Sequence, residues 1–358
     1  MRFIVVLLSI GLFSSCSSDT KSIPSASGVT GDMYLIMDSV QWRGPLGKTL
    51  DSIFSAEMPG LPRKESIFKM RWINPRKLNF VLKQRRNLIF AMTLDHHGEG
   101  SQIVRRLFTP ESIEKIKTNP STFSTTAQNL FAKGQEVMYL YGKDERTLVQ
   151  NIRTHSAHLV DYFDQKERER MTRTLFKSGD VKGVNKMLIK DYKCSLRVPF
   201  GFKVADKKPD FLWLRQINPR DDKDLFIARK KYTSQEDFKK ENLIRFRDEI
   251  CRSYLFEDPA QSDTYLLTET TIPFIPVTAE TLNFNGHFAV QLRGLWRTHT
   301  FGMGGPFQGF AFVDEGTQQF YYIEGFTFSP GKDQREIMRG LETILYTFKT
   351  SKELPAVK

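Results

Sequence analysis

Cysteine is scarce in this sequence: three in 358 residues, at positions 16, 194 and 251. None of them forms a Cys-x-x-Cys pair, which excludes thiolate zinc knuckles and thioredoxin-type redox motifs. Histidine is also sparse, six in all, and no His-Glu-x-x-His string occurs. His96 and His97 follow Asp95, and His155 and His158 stand three apart, but neither spacing supplies the three or four converging ligands that a zinc site needs. The nucleophile-elbow string Gly-x-Ser-x-Gly is missing, and no Ser-x-x-Lys stands in a context suited to acyl transfer. Long apolar runs are absent apart from Phe3 to Phe13, which falls short of the roughly 20 residues that span a bilayer. A polytopic membrane protein is therefore excluded. With 40% apolar and 26% charged residues the chain is too hydrophobic to stay disordered, and its length suits about two domains.

What the N-terminus does contain is ordered like an export signal. Met1-Arg2 is a short basic stretch, Phe3 to Phe13 an apolar core, and Ser14-Ser15-Cys16 a small-residue exit. This layout resembles a bacterial lipobox, in which the Cys thiol takes up a diacylglycerol and the chain is cut on its N-terminal side. Phe13 stands where Leu is usual in that motif. Three acyl chains at Cys16 exceed the two signals that stable anchoring needs. Ser17 rather than Asp follows the Cys, and the lipoprotein sorting rule then implies the outer membrane. Residues 1–15 are accordingly read as signal peptide and 16–31, rich in Ser, Gly and Thr, as a lipidated tether. Export makes a Cys194–Cys251 bridge feasible, with two buried free thiols as the alternative.

Lys and Arg exceed Asp and Glu by 53 to 41, a formal charge of +12. The cations are dispersed among acids, and export removes nucleic acid as a partner. The surplus suits acidic envelope polymers or lipid phosphates.

The periodicity predicts an α+β chain. Residues 32–143 read as β-α-β-β-α-β, the order of a ferredoxin-like domain. Residues 144–191 read as a helical connection: a long helix from Asp144 to Arg170 with a solvated, charge-alternating end at Gln165–Arg170, then a shorter one. Residues 192–350 read as an antiparallel-sheet domain with flanking helices. Asn285-Gly286 between apolar residues signals a type I′ hairpin. The closing helix starts at Asp333, with Glu336 as capping-box partner and Ile337, Leu341, Ile344, Leu345 and Phe348 on its buried face. The string Ile-Asn-Pro-Arg occurs twice, at 73–76 and 217–220, each as a turn starter.

The lipobox, Ala132-Lys133-Gly134-Gln135, Glu167-Arg168-Glu169-Arg170, Met303-Gly304-Gly305-Pro306-Phe307 and the closing helix together resemble a family of Gram-negative envelope lipoproteins known as a domain of unknown function. That family brings no activity or catalytic residues. The second half, entered through Val198-Pro199-Phe200-Gly201-Phe202, is also similar at the level of fold to the Mog1/PsbP class, which is mostly non-enzymatic.

Glu269 and Glu324 lie in strands and are expected to face solvent, as alternate residues of an antiparallel sheet do. Gly302–Phe307 is Gly-rich, but no Lys-Ser/Thr follows and a strand rather than a helix opens there, so phosphate-loop readings fall away. The glycines are read as a tight crossover with unusual φ angles, and the binding surface is assigned to Trp296, Phe301, Met303, Gly304, Gly305 and Phe307. No catalytic residue, metal or cofactor is assigned. The expected protein is a lipid-anchored binding or scaffold module of the cell envelope, with a protein or glycan partner. The alternative is an envelope hydrolase with an unrecognised site.

Overall fold

The computed structural model describes residues 23–218, 221–258 and 260–354. Cys16 and the signal-like segment lie outside them, as do Pro219 and Arg220 of the second Ile-Asn-Pro-Arg string.

The N-terminal half runs β1 (Asp32–Ile36), α1 (Ser39–Arg43), α2 (Pro45–Phe54), β2 (Lys69–Ile73), α3 (Phe80–Lys83), β3 (Asn87–Thr93), α4 (Glu99–Arg105), α5 (Pro110–Thr118), β4 (Ser124–Gln128) and β5 (Glu136–Gly142). The sheet order is β2-β1-β3-β5-β4. All neighbours are parallel except β4, which runs antiparallel to β5. The α+β class of the whole chain holds, and within it this sheet differs from a ferredoxin-like one, which is antiparallel. The link from Asn74 to Arg86 explains the difference. It holds a 3-10 turn, capped by the Asn74 side chain, and then α3, so the chain can cross over and lay β3 parallel to β1 on the side away from β2. β4 has the sequence Ser-Thr-Thr-Ala-Gln and carries no apolar alternation, because it is an exposed edge.

The central strand β3 is buried along its whole length. Ile89 and Ala91 pack under α2, α6 (Glu145–Thr154) and α7 (Ser156–Leu175) through Leu50, Leu148 and Phe163. Leu88 and Phe90 pack on the opposite face with Val104 of α4 and Ile116 of α5. The single long helix read from Asp144 onward is two helices. His155 breaks them at φ −110° and ψ 19°, and its ring stacks on Phe123 at 5.2 Å.

Of the stretch read as a tether, Pro24 onward is held against the body. Lys133 N donates to Pro24 O (2.7 Å), Ala26 N to Lys133 O (2.8 Å) and Ser27 N to Gln84 O (2.9 Å).

After α7 the short α8 (Val184–Met187) already belongs to the second core, since Val184 and Leu188 pack with Leu341, Leu345 and Phe348. The second sheet is antiparallel: β6 (Lys203–Lys208), β7 (Phe211–Ile217), β8 (Asp222–Lys231), then α9 (Lys240–Tyr254), β9 (Leu266–Glu269), β10 (Thr278–Phe284), β11 (His287–Thr298), β12 (Gly304–Asp314), β13 (Gln319–Phe328) and α10 (Arg335–Leu345). The order is β10-β11-β12-β13-β8-β7-β6, with β9 also on β11. Asn285 and Gly286 both take positive φ (52° and 92°), as a type I′ turn requires. Helices cover both faces: α10 packs on Phe310, Tyr321 and Ile323, and α9 on Phe226, Ala311 and Tyr322.

The start of α10 is not held by a capping box. Its free N–H groups are taken by a carboxylate from the other half: Gln334 N and Arg335 N donate to Glu65 at 2.7 and 2.9 Å. Glu336 instead accepts from Arg339 (2.8 Å) and Arg335 (2.7 Å). Arg339 is almost fully buried where the halves meet. It donates to Ile67 O at 2.9 Å and pairs with Asp164 at 3.3 Å.

Candidate functional site

The six residues assigned to a binding surface do not share one. Trp296 and Phe307 are core residues. The Trp296 Nε1 donates to Thr327 O (3.2 Å) and the ring meets Phe326 edge-on. Phe307 lies beneath the guanidinium of Arg247 at 3.9 Å. Met303 is half-buried against the same core and Gly305 is buried, whereas Gly304 and Phe301 are exposed, Phe301 with φ +61° and Arg297 above its ring at 4.1 Å. The glycines do not need left-handed backbone here. A Cβ on Gly305 would lie 2.1 Å from Thr327 O, so β12 and β13 approach too closely for any side chain. The Gly-Gly pair is explained by strand packing. Beside it a small cavity of about 30 Å³, lined by Trp213, Asp224, Trp296 and Phe326 among others, has room for roughly one water.

Glu324 and Glu269 do not face solvent either. Glu324 is fully buried and paired in a fork with Arg247, both contacts 2.8 Å, and it accepts the Tyr322 hydroxyl at 2.6 Å. The third arm of Arg247 reaches Thr268 Oγ1 at 3.0 Å. Burial pushes the Glu324 carboxyl up, against the pull of Arg247. Glu269 pairs with Arg297 at 3.0 Å. Alternation fails as a guide because α9 covers the face that would otherwise be wet. The pair is enclosed on every side and has no route to a substrate, so its chemistry is that of a structural clamp. Cys194 and Cys251 are both free and buried.

A second polar cluster sits at the carboxyl ends of the parallel strands, where α/β sheets commonly place their sites. His96 Nδ1 is 2.9 Å from Ser101 Oγ, and His96 Nε2 is 4.0 Å from Asp38 Oδ1. The residue types are those of a hydrolase triad. The geometry assigns them elsewhere: Ser101 is fully buried and donates to Gln41 Oε1 (3.1 Å). Asp38 is already used by the N–H groups of Val40 (2.8 Å) and Gly100 (3.0 Å). A nucleophile needs room for a carbonyl beside it, and this Ser has none.

Open space lies at the opposite end of the same sheet. There a cleft of about 800 Å³ is bounded by Ser25 and Ala26, the loop before β5, and α7. Its floor is Glu167, which is fully buried. Glu167 Oε1 accepts from Asn87 Nδ2 (2.6 Å) and Arg170 Nη1 (2.9 Å), while Oε2 has no protein partner. Arg170 also donates to Gly134 O (3.0 Å) and Arg86 O (3.2 Å), which fastens the β5 loop to α7. Glu136, which lines the cleft, accepts from the Tyr162 hydroxyl at 2.7 Å, and burial together with that bond pushes the hydroxyl up to about 12. Lys166 is held by Glu169 at 3.2 Å. Four further cations line the cleft, Arg86, Lys133, Arg173 and Lys177, and among the described residues none has a carboxylate within salt-bridge distance.

This cleft was not assigned from the sequence, although both of its walls were singled out. Lys133-Gly134-Gln135 and Glu167–Arg170 are two of the segments that carried the family resemblance, and the fold joins them. The Gln165–Arg170 helix end, expected to be solvated, instead turns Glu167 and Arg170 inward. Charge alternation there hid an ion pair that a helical wheel alone cannot tell from a surface pair.

Residues 182–347 match a family described as Domain of unknown function (DUF4837), and residues 26–176 match another, Domain of unknown function (DUF8532). Both halves thus match domains of unknown function. The junction between the matches falls where the packing changes, since Val184 and Leu188 already belong to the second core. No curated protein matches. Among solved structures, a mutant of the protein Mog1 is similar at 7% identity over 44% of this chain and 91% of its own, with a TM-score of 0.29. The Saccharomyces cerevisiae Ran-binding protein Mog1p gives 7% identity, 48% and 93% coverage and the same TM-score of 0.29. Scores this low carry neither a partner nor a ligand across.

Proposed function

We propose that this protein is a lipid-anchored binding module of the cell envelope, held at the outer membrane through Cys16, and that the basic cleft of its N-terminal half takes an anionic segment of an envelope glycan or protein. The observation that carries the reading is the cleft itself. It encloses about 800 Å³, and among the described residues four of its cations have no acid partner while Glu167 and Arg170 brace its floor. Exposed cations in a concave wall raise the local concentration of anions. Among the described residues the Ser101-His96-Asp38 grouping has its serine fully buried, so binding rather than hydrolysis is favoured.

Two measurements test the two parts. Metabolic labelling with an alkyne fatty acid marks the wild type and not Cys16→Ala; equal labelling of both removes the anchor. For the cleft, fluorescence anisotropy with short labelled polyphosphate is the probe. Lys133→Gln/Arg173→Gln weakens binding by about tenfold and flattens its salt dependence. An unchanged affinity places the site elsewhere.

A further inference from the structure

The corner of the N-terminal half that receives the incoming chain differs from the rest of the surface. Three stretches meet there through main-chain contacts: Ile23–Gly31, the α3 region and the Asn129–Gln135 loop. Gln135 Nε2 donates to the carbonyls of Lys83 (2.5 Å) and Arg85 (2.6 Å), Lys133 N donates to Pro24 O (2.7 Å), and Lys83 Nζ lies over the Phe131 ring at 5.6 Å. None of the three stretches contains an Asp or Glu, and the run from Lys69 to Asn87 carries seven Lys and Arg without one carboxylate. On the same corner large apolar side chains stand in solvent: Phe80 is 73% exposed, Val81 56%, Ile23 50% and Leu130 43%. Leu78 and Leu82 on either side turn inward to the core, so Phe80 and Val81 are outward by the set of the helix rather than by fraying. Lys77, Lys83 and Lys133 have no salt-bridge partner among the described residues.

We infer that this corner rests on an anionic lipid surface, with Phe80 and Val81 entering the headgroup layer and the surrounding lysines meeting phosphates. Exposed aromatic and aliphatic residues ringed by cations are the chemistry of interfacial binding. Chain length supports that occupant over a protein. Cys16 lies seven residues before Ile23, a span of at most about 25 Å, so a lipid at Cys16 keeps this corner within that distance of the bilayer. The inference rests on the anchor reading for that last step, whereas the surface chemistry stands without it.

The test uses the mature chain from residue 16 with Cys16→Ser, which removes the acyl acceptor and leaves the surface alone. Co-sedimentation is measured with phosphatidylglycerol-containing vesicles and with pure phosphatidylcholine vesicles at low and high salt. The expected result is binding to the anionic vesicles only, weakened by salt, and reduced about tenfold both by Phe80→Ala/Val81→Ser and by Lys77→Gln/Lys83→Gln. Phe80, Val81 and Lys77 are exposed and Lys83 is half-buried, and unchanged thermal melts of the variants confirm that folding is intact. No binding to anionic vesicles overturns the inference even where Cys16 labels with fatty acid in cells. Binding that survives Phe80→Ala/Val81→Ser but is lost with Lys133→Gln/Arg173→Gln places the headgroup in the cleft and overturns it as well. Vesicle binding as expected with no labelling at Cys16 upholds this surface and removes the anchor instead.

Discussion

Replacing Arg247 by Met is the sharpest probe of how the second half is held together. The substitution keeps most of the aliphatic volume and removes a guanidinium that makes two 2.8 Å contacts to Glu324 and one of 3.0 Å to Thr268. It also removes the cation stacked over Phe307 at 3.9 Å. Glu324 stays fully buried, with the Tyr322 hydroxyl as its remaining donor at 2.6 Å. Stranding a buried charge in this way costs about 3–5 kcal/mol. The pH dependence has a definite sign. Burial already pushes the Glu324 carboxyl above its ordinary range, and losing Arg247 pushes it further. The variant's native state then binds more protons than its unfolded state, so its stability falls as pH rises above the unfolded carboxyl range of about 4.3. The deficit against wild type is therefore larger at pH 8 than at pH 5. Arg247→Met/Glu324→Gln removes the stranded charge, keeps an oxygen for Tyr322, and recovers at least half of the loss. Urea melts followed by circular dichroism at the two pH values decide it. A deficit under about 1 kcal/mol, or a double variant no better than the single one, would refute the clamp.

Asp224 is walled in beside Trp213 and Arg215, and burial pushes its carboxyl up to about 7. Stability accordingly drops as pH rises from about 4 through 7, and Asp224→Asn flattens that slope in thermal melts taken across the range. Leu341→Ala, at a fully buried position of α10, lowers stability by about 2–5 kcal/mol in the same urea assay. A fragment starting at Val181 melts cooperatively, whereas one starting at Tyr192 does not, because it lacks Val184 and Leu188 of the core. Burial pushes both thiols up, Cys251 to about 12, so Cys194 and Cys251 resist an aromatic disulfide reagent in the native chain and both react in urea.

Local pattern alone determined much of this protein. The Asn285-Gly286 turn, the strands on either side of it and the apolar stripe of α10 follow from backbone preference and periodicity, which act over a few residues and survive any topology. The α+β class follows from the same signals. Strand order did not, because parallel or antiparallel pairing depends on where a crossover lays the next strand, and the link before β3 reads as turn and short helix either way. The fate of the charges was equally hidden. Glu324 and Arg247 are 77 positions apart, and Glu65 reaches 269 positions to cap α10, so each reads locally as an ordinary polar residue. Trp296 and Phe307 looked like surface aromatics next to a glycine loop, and became core when α9 covered their face of the sheet. The cleft is the same case: Lys133 and Arg173 belong to different elements, and only the packing of α7 across the amino ends of β3 and β5 sets their charges around one space.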